Sequence, residues 1–274
     1  MVGHAARKEG TVDLGLKDKV ALVVAASRGL GKATALELAR EGAQVGVTAR
    51  GDADLQAAAR EIRRLTGAQA LALRADVGAE KDVEALVRAA ETAYGRVDIL
   101  VNNAGGPKSG QFTDVSDEDW LNAVNLNLMS AIRLTRLVLP GMRARRWGRI
   151  INITSVSVKQ PMPTLILSNA VRSGVVAMAK TLAGEVAAEG ITVNNVCPGY
   201  TLTDRVRDLA AVNAKAAAVP VDQVMAQWEA SIPARRLGKP EELAALVAFL
   251  ASERASYITG TTIQVDGGYI QGLF

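Results

Sequence analysis

The sequence holds a single cysteine, Cys197, and a single histidine, His4. One thiol cannot close an intrachain disulfide, so a disulfide-stapled scaffold is excluded. One histidine excludes a histidine-rich metal site, and no metal site is expected. Aromatic residues are scarce at 4 %, and charges of both signs are spread through an alanine-rich background, as in a soluble globular protein. No apolar run approaches the roughly 18 residues that span a membrane. The opening stretch, MVGHAARKEGTVDLGL, lacks the apolar core of a signal peptide. Residues 1–15 are expected to form a loose tail, and the protein to be cytoplasmic. The net charge is only +4. The densest basic run, Arg143 to Arg149, reads as the solvated close of a helix rather than a nucleic-acid site. No Pro/Gly/Ser-rich linker divides the chain, so one domain is expected over 16–274. Cys197 follows an apolar strand with no activating base beside it, and reads as a small residue at a strand end.

What is present is a rhythm. Short apolar runs at Val20–Ala26, Gln44–Thr48, Ala70–Arg74, Ile99–Asn102, Ile150–Thr154, Ile191–Val196 and Thr262–Val265 alternate with helical patterns. These patterns fall at about Leu30–Glu41, Asp54–Leu65, Glu80–Tyr94, Asp117–Arg145, Leu165–Glu189 and Pro240–Ser252. Fully apolar strands suit a parallel sheet covered on both faces. The alternation predicts a doubly wound, three-layer α/β/α domain of Rossmann type. Thr201–Pro233 interrupts the rhythm after the sixth strand, where ligands bind in such sheets, and is expected to be a helical substrate lid. Its apolar residues Leu209, Val212, Val224, Met225 and Trp228 suggest either a substrate wall or lid packing.

The turn after the first strand, Val24 to Gly31, contains Ala25, Ser27, Arg28, Gly29, Leu30 and Gly31 and opens a helix. Glycines there let backbone approach a pyrophosphate, which the helix N-terminus attracts. The second strand ends in Ala49-Arg50, without the carboxylate that reads an NAD ribose. Arg50 and Arg28 could clamp the 2′-phosphate of NADP(H).

Together these motifs resemble the short-chain dehydrogenase/reductase family, most of all its 3-oxoacyl carrier-protein reductase branch. Asp76-Val77 matches the family's adenine-holding pair. Asn102-Asn103-Ala104-Gly105 matches its Asn-Asn-Ala-Gly. Pro198-Gly199 with Thr201 and Thr203 matches the segment that cups the nicotinamide, and Ile263 to Gly268 matches its C-terminal strand and turn. In place of the family's usual first glycine stands Ala25. The resemblance implies a homotetramer or homodimer, and a catalytic set of Asn, Ser, Tyr and Lys. Asn127, at the expected spacing after Trp120, would hold a structural water, and Ser155 would bind the carbonyl oxygen.

The rest of that set is missing. Thirteen residues after Ser155 stands Ser168, not tyrosine. Four further on, Arg172 stands in place of lysine, and no Tyr-x-x-x-Lys occurs anywhere. A serine hydroxyl is a far weaker acid than a phenol. Arg172 shares a helix face with Ser168 and could anchor the ribose, but it cannot relay a proton by titrating. Three replacement donors stay open: Lys159, Tyr200, or a water held by Ser155 and Ser168. The expected function is NADP(H)-dependent reduction of a carbonyl compound or oxidation of the matching alcohol. The alternatives are a non-redox enzyme on this scaffold and a non-catalytic NADP(H)-binding protein. The expected partner is a small molecule, with neither nucleic acid nor membrane involved.

Overall fold

Each apolar run becomes a strand whose residues alternate between two covered faces. The computed structural model describes residues 12–273; His4 and most of the expected tail lie outside them. Seven strands, β1 (Val20–Val23), β2 (Gln44–Ala49), β3 (Ala70–Arg74), β4 (Ile99–Asn102), β5 (Gly148–Ile153), β6 (Ile191–Pro198) and β7 (Thr262–Val265), form one sheet. Every pairing is parallel, in the order β3-β2-β1-β4-β5-β6-β7. The helices are α1 (Gly29–Arg40), α2 (Asp52–Thr66), α3 (Glu80–Tyr94), α4 (Asp117–Ala123), α5 (Ser130–Arg145), α6 (Ile166–Val186), α7 (Asp204–Ala217), α8 (Val221–Ser231) and α9 (Pro240–Ala251).

The two-residue period of a strand sends Ala21, Val23, Val45, Val47 and Ile99 to one face. There they bury Leu38 of α1, Leu55 and Ile62 of α2, and Leu243 and Val247 of α9. Leu22, Leu100, Ile150 and Val193 point the other way, onto Val83 and Leu86 of α3, Leu134 and Val138 of α5, and Ala179 and Val186 of α6. Each large side chain so buried stabilises the fold by about 1.5–3 kcal/mol. The strand order reverses between β1 and β4, which opens the crevice where doubly wound sheets bind ligands.

A polar chain crosses this apolar sheet near the carboxyl ends of its strands. Register places Asn102 beside Asn152, Asn152 beside Asn195, and Asn195 beside Thr262. Asn102 Nδ2 donates to Asn152 Oδ1 at 2.9 Å, Asn152 Nδ2 to Asn195 Oδ1 at 2.9 Å, and Asn195 Nδ2 to Thr262 Oγ1 at 3.2 Å. Slipping one strand would strand buried amides without partners, so the chain pins the register beneath the site.

Several expectations are corrected. β1 ends at Val23, and Val24 to Ala26 form a turn with Ala25 at φ +49°. The helix expected over Asp117–Arg145 runs unbroken, with a π-helical stretch, Val124–Met129, set between α4 and α5. Cys197 lies within β6, fully buried, not beyond it. Arg149 is not part of a solvated helix end. It is a buried residue of β5, donating to the carbonyls of Gly148, Gly190 and Ser252. Ahead of Leu16, the Leu14 carbonyl accepts Glu253 N–H, and the Asp13 carbonyl accepts Arg254 Nε–H. Thr201–Pro233 carries two helices, α7 and α8. Val224 packs between them, while Val212 is exposed. Among the described residues no helix is long and apolar enough to cross a membrane.

Candidate active site

The crevice is assembled from the carboxyl ends of the strands and the start of α7. On one side the chain turns from β1 into α1. Arg28 caps that helix in extended conformation and makes no side-chain cap bond, so the first-turn N–H groups face outward without a side-chain partner. Gly31 is required for close approach: a Cβ there would stand 2.4 Å from the Ala25 carbonyl oxygen and 2.9 Å from Asn103 Nδ2. Asn103 Nδ2 donates to the carbonyls of Val24 and Ala25 at 3.2 and 3.3 Å, bracing the turn against the loop after β4. Ala25, held in the left-handed region without being glycine, costs about 1–2 kcal/mol. An uncapped helix start behind a tight turn fits a pyrophosphate.

At the far end of the crevice, Arg50, Arg74, Ala75, Asp76, Asp82 and Ala85 line an open groove of about 360 Å³. Asp76 Oδ1 accepts Gly78 N–H at 3.0 Å, which shapes the turn after β3, and Val77 is buried in the core beside it. Arg28 does not join Arg50 there through any bond of its own; its guanidinium is 3.7 Å from Asp204 at the start of α7.

The centre is built around Asn127. A π-helical stretch widens the helix by one residue per turn, a distortion common at functional sites. It aims Asn127 at the loop after β4, where Nδ2 donates to the Gly105 carbonyl at 3.0 Å. Asn127 Oδ1 and Asn102 Oδ1 are both buried without a partner. Both residues line a small cavity of about 20 Å³ with Ala104, Thr154 and Arg172, room for about one water.

Arg172 is buried against the same cavity. Its Nη1 donates to the carbonyls of Ile153 and Thr154 at 3.0 and 3.1 Å, and Nη2 to that of Ala104 at 3.3 Å. The guanidinium thereby ties the ends of β4 and β5 together. Burial lowers it to about 10, with Arg205 pushing the same way and the nearby Cys197 opposing, so it remains a cation at neutral pH.

Ser155 follows β5 and caps a short 3₁₀ turn, Val156–Val158. Its Oγ accepts Ser157 N–H at 3.1 Å, leaving its own proton to be donated elsewhere. Ser168, on the first turn of α6, shares a 3.3 Å hydroxyl contact with Ser157. Ser157 was not singled out from the sequence; its only signal is the Ser-Val-Ser alternation that follows the strand. Next to Ser168, Asn169 brackets Met162, donating to its carbonyl at 2.9 Å and accepting its N–H at 3.3 Å. This pins the loop carrying Lys159, which is half-buried and close enough to act electrostatically on the Cys197 thiol. Burial nevertheless pushes that thiol up, and Thr154 Oγ1 lies 3.1 Å from its sulfur, so Cys197 is a packed and unreactive group.

Gly199 sits tightly on the turn after β7: a Cβ there would lie 2.7 Å from Asp266 Cβ. Beyond Pro198-Gly199, Tyr200 stacks on Trp228 of α8 at 4.6 Å and meets the edge of Tyr269 at 5.4 Å. Burial, with Tyr269 alongside, pushes the Tyr200 phenol above its ordinary range. Thr201 Oγ1 donates to the Gly199 carbonyl, and Thr203 caps α7 by accepting Val206 N–H. Thr203 also approaches Gly29, and Arg205 donates to the Pro107 carbonyl at 3.2 Å. The start of α7 is thus tied to both the glycine turn and the loop after β4. Among the described residues no group of three or more His, Cys, Asp or Glu side chains could hold a metal ion.

Residues 24–270 match the family described as Enoyl-(Acyl carrier protein) reductase. The chain is 40 % identical over 255 residues to the 3-oxoacyl-acyl-carrier-protein reductase FabG of Vibrio cholerae, covering 93 % of this chain and 98 % of that one. Against FabG of Escherichia coli the identity is 39 % over the same shares. Among solved structures it superposes on L-sorbose reductase from Gluconobacter frateurii, complexed with NADPH and L-sorbose. The TM-score is 0.91 and the identity 35 %, covering 96 % of this chain and 100 % of that chain. The actinorhodin polyketide ketoreductase with NADPH gives a TM-score of 0.90 at 37 % identity, covering 93 and 98 %. With its seven-stranded parallel sheet and its ligand crevice at the strand reversal, the chain belongs to the short-chain dehydrogenase/reductase family, on the branch of the 3-oxoacyl-acyl-carrier-protein reductases.

Proposed function

We propose that this protein is an NADP(H)-dependent oxidoreductase that reduces a carbonyl compound, or oxidises the matching alcohol, at a site lined by serines where the family has tyrosine. Two relatives of similar fold were solved with NADPH. The uncapped N-terminus of α1 would take the pyrophosphate, Asp76 and Val77 would border the adenine, and Pro198 to Thr203 would flank the nicotinamide. When bound, the nicotinamide supplies or accepts the hydride.

The observation that carries the reading is the hydrogen-bonding state of Ser155. Ser155 Oγ accepts Ser157 N–H and donates to no protein group among the described residues, so its proton can go to a carbonyl oxygen in the crevice. Arg172, fixed as a cation on three carbonyls, supplies positive potential where negative charge develops on that oxygen. Asn127 Oδ1 would accept from a water in the adjoining cavity.

The proton must then come from a group other than tyrosine. Tyr200 is a poor source: its ring is locked between Trp228 and Tyr269, and burial makes its phenol less acidic. Ser168 is engaged with Ser157. Lys159, on the pinned loop behind Ser155, is the favoured donor through its Nζ, with a Ser-held water as the other route. The helices of Thr201–Pro233 would close over the substrate.

The test is NADPH consumption by the purified chain across a panel of 3-oxoacyl thioesters, sugars and simple ketones. Consumption with at least one carbonyl is expected. Lys159→Met is expected to cost at least about tenfold in rate with NADPH affinity intact, the size of a general-acid contribution at its low end. An unchanged rate removes Lys159 from the mechanism. Tight NADPH binding without consumption across the panel would favour the non-redox and non-catalytic alternatives.

A further inference from the structure

We infer that Arg74, at the carboxyl end of the edge strand β3, is a specificity-determining ligand for the 2′-phosphate of the cofactor, working with Arg50 from the neighbouring strand. This rests on the NADP(H) reading above. Parallel pairing sets Ala49 opposite Arg74, so residues 50 and 74 lie next to each other where the two strands end. Arg74 Nε donates to the Arg50 carbonyl at 3.1 Å. That contact uses one of five N–H groups and leaves the outer fork of the guanidinium for a ligand.

Both arginines line the same open groove. Among the described residues neither forms an ion pair, whereas Arg40, Arg96, Arg133, Arg143, Arg145, Arg149 and Arg236 each face a carboxylate. The carboxylates in the groove have backbone partners. Asp82 Oδ2 accepts Asp76 N–H at 2.9 Å, and Asp76 Oδ1 accepts Gly78 N–H. Asp76 and Asp82 share the groove but ion-pair with neither arginine, and two neighbouring cations repel each other less when an anion sits directly between them. The groove lies at the end of β2, where doubly wound folds read the adenosine ribose. A dianionic phosphate on that ribose supplies negative charge between the two arginines and oxygens that match guanidinium forks. The other cation expected there, Arg28, is instead turned toward Asp204.

The test is calorimetric titration of the full chain with NADPH, NADH, adenosine 2′,5′-bisphosphate and AMP, none of which requires turnover. Wild type is expected to prefer each ligand bearing the 2′-phosphate over its counterpart. Arg74→Ala is expected to weaken NADPH and the bisphosphate by about 10- to 100-fold, the loss of one charge-assisted contact. NADH and AMP should stay within about twofold. Arg74→Lys should recover part of the preference, since a point charge replaces the fork. Equal weakening of all four ligands, or no weakening of NADPH, would overturn the assignment of Arg74. A wild type that does not prefer NADPH over NADH would instead overturn the NADP(H) reading itself.

Discussion

Replacing Ser155 by alanine separates chemistry from folding in a way the structure lets one size. The Ser155 hydroxyl has two jobs. Its oxygen caps the 3₁₀ turn by accepting Ser157 N–H at 3.1 Å, and its proton is left for the substrate. Loss of a single oxyanion-type donor costs about 10²–10³ in kcat, or about 2.7–4 kcal/mol of transition-state stabilisation. Loss of the cap costs about 0.5–1 kcal/mol, the low end for helix caps, because the turn is only three residues long. A domain of this size loses roughly 2–4 °C in Tm per kcal/mol, so Ser155→Ala should melt only about 1–4 °C lower. The assay pairs initial rates at saturating NADPH with NADPH affinity by fluorescence and with thermal unfolding. The expected result is a rate down by about two to three orders of magnitude, affinity unchanged and the fold intact. Ser155→Thr, which keeps a hydroxyl, should recover most of the rate. An alanine variant retaining more than about a third of the wild-type rate would refute the reasoning. So would a rate loss matched by an equal loss of NADPH affinity.

Three further outcomes are expected. Gly31→Ala drives a methyl onto the Ala25 carbonyl at 2.4 Å; calorimetry should show NADPH affinity down by more than about tenfold, and urea unfolding a loss of about 1–3 kcal/mol. Arg149→Leu leaves the carbonyls of Gly148, Gly190 and Ser252 without their buried donor; urea unfolding should show a loss of about 2–4 kcal/mol, with NADPH affinity untouched at the opposite end of the sheet. Glu242 is held down to about 2 by its hydrogen bonds to Arg236 and to Lys239 N–H. Its folded pKa lies below the unfolded 4.5, so its contribution is complete above that value and is lost as pH falls towards 2. Because the pair is solvent-exposed, screening keeps the contribution small. The gap between wild type and Glu242→Gln in unfolding should be present at neutral pH and close in acid.

The sheet was legible because its central strands are buried on both faces and read as apolar runs between helical patterns. The π-helical stretch at Asn127 was not: Val124 to Met129 continue a helical period, and only the backbone widening there sets them apart. Arg149 was misread for a related reason, since a run of like charges hides the point where a helix ends and a buried strand begins. The glycine turn, Ser155 and Asn127 could be placed from motif spacing. Arg74 could not, because its neighbour Arg50 is distant in sequence and the two meet only through the register of β2 on β3. Ser157 was hidden by its adjacency to Ser155. The amide chain from Asn102 to Asn195 left a trace, asparagine inside each of three apolar strands, but its meaning depends on the strand order.

The central claim is that hydride chemistry proceeds here without a tyrosine. It is tested most directly by incubating the purified protein with NADPH deuterated on the transferring face of the nicotinamide, together with each carbonyl of the panel, and analysing products by mass spectrometry and NMR. The account predicts, for at least one substrate, an alcohol with a single deuterium on the former carbonyl carbon, formed in step with NADPH loss and about two to three orders of magnitude more slowly with Ser155→Ala. NADPH that stays bound and undiminished, or a product that carries no deuterium, would contradict it.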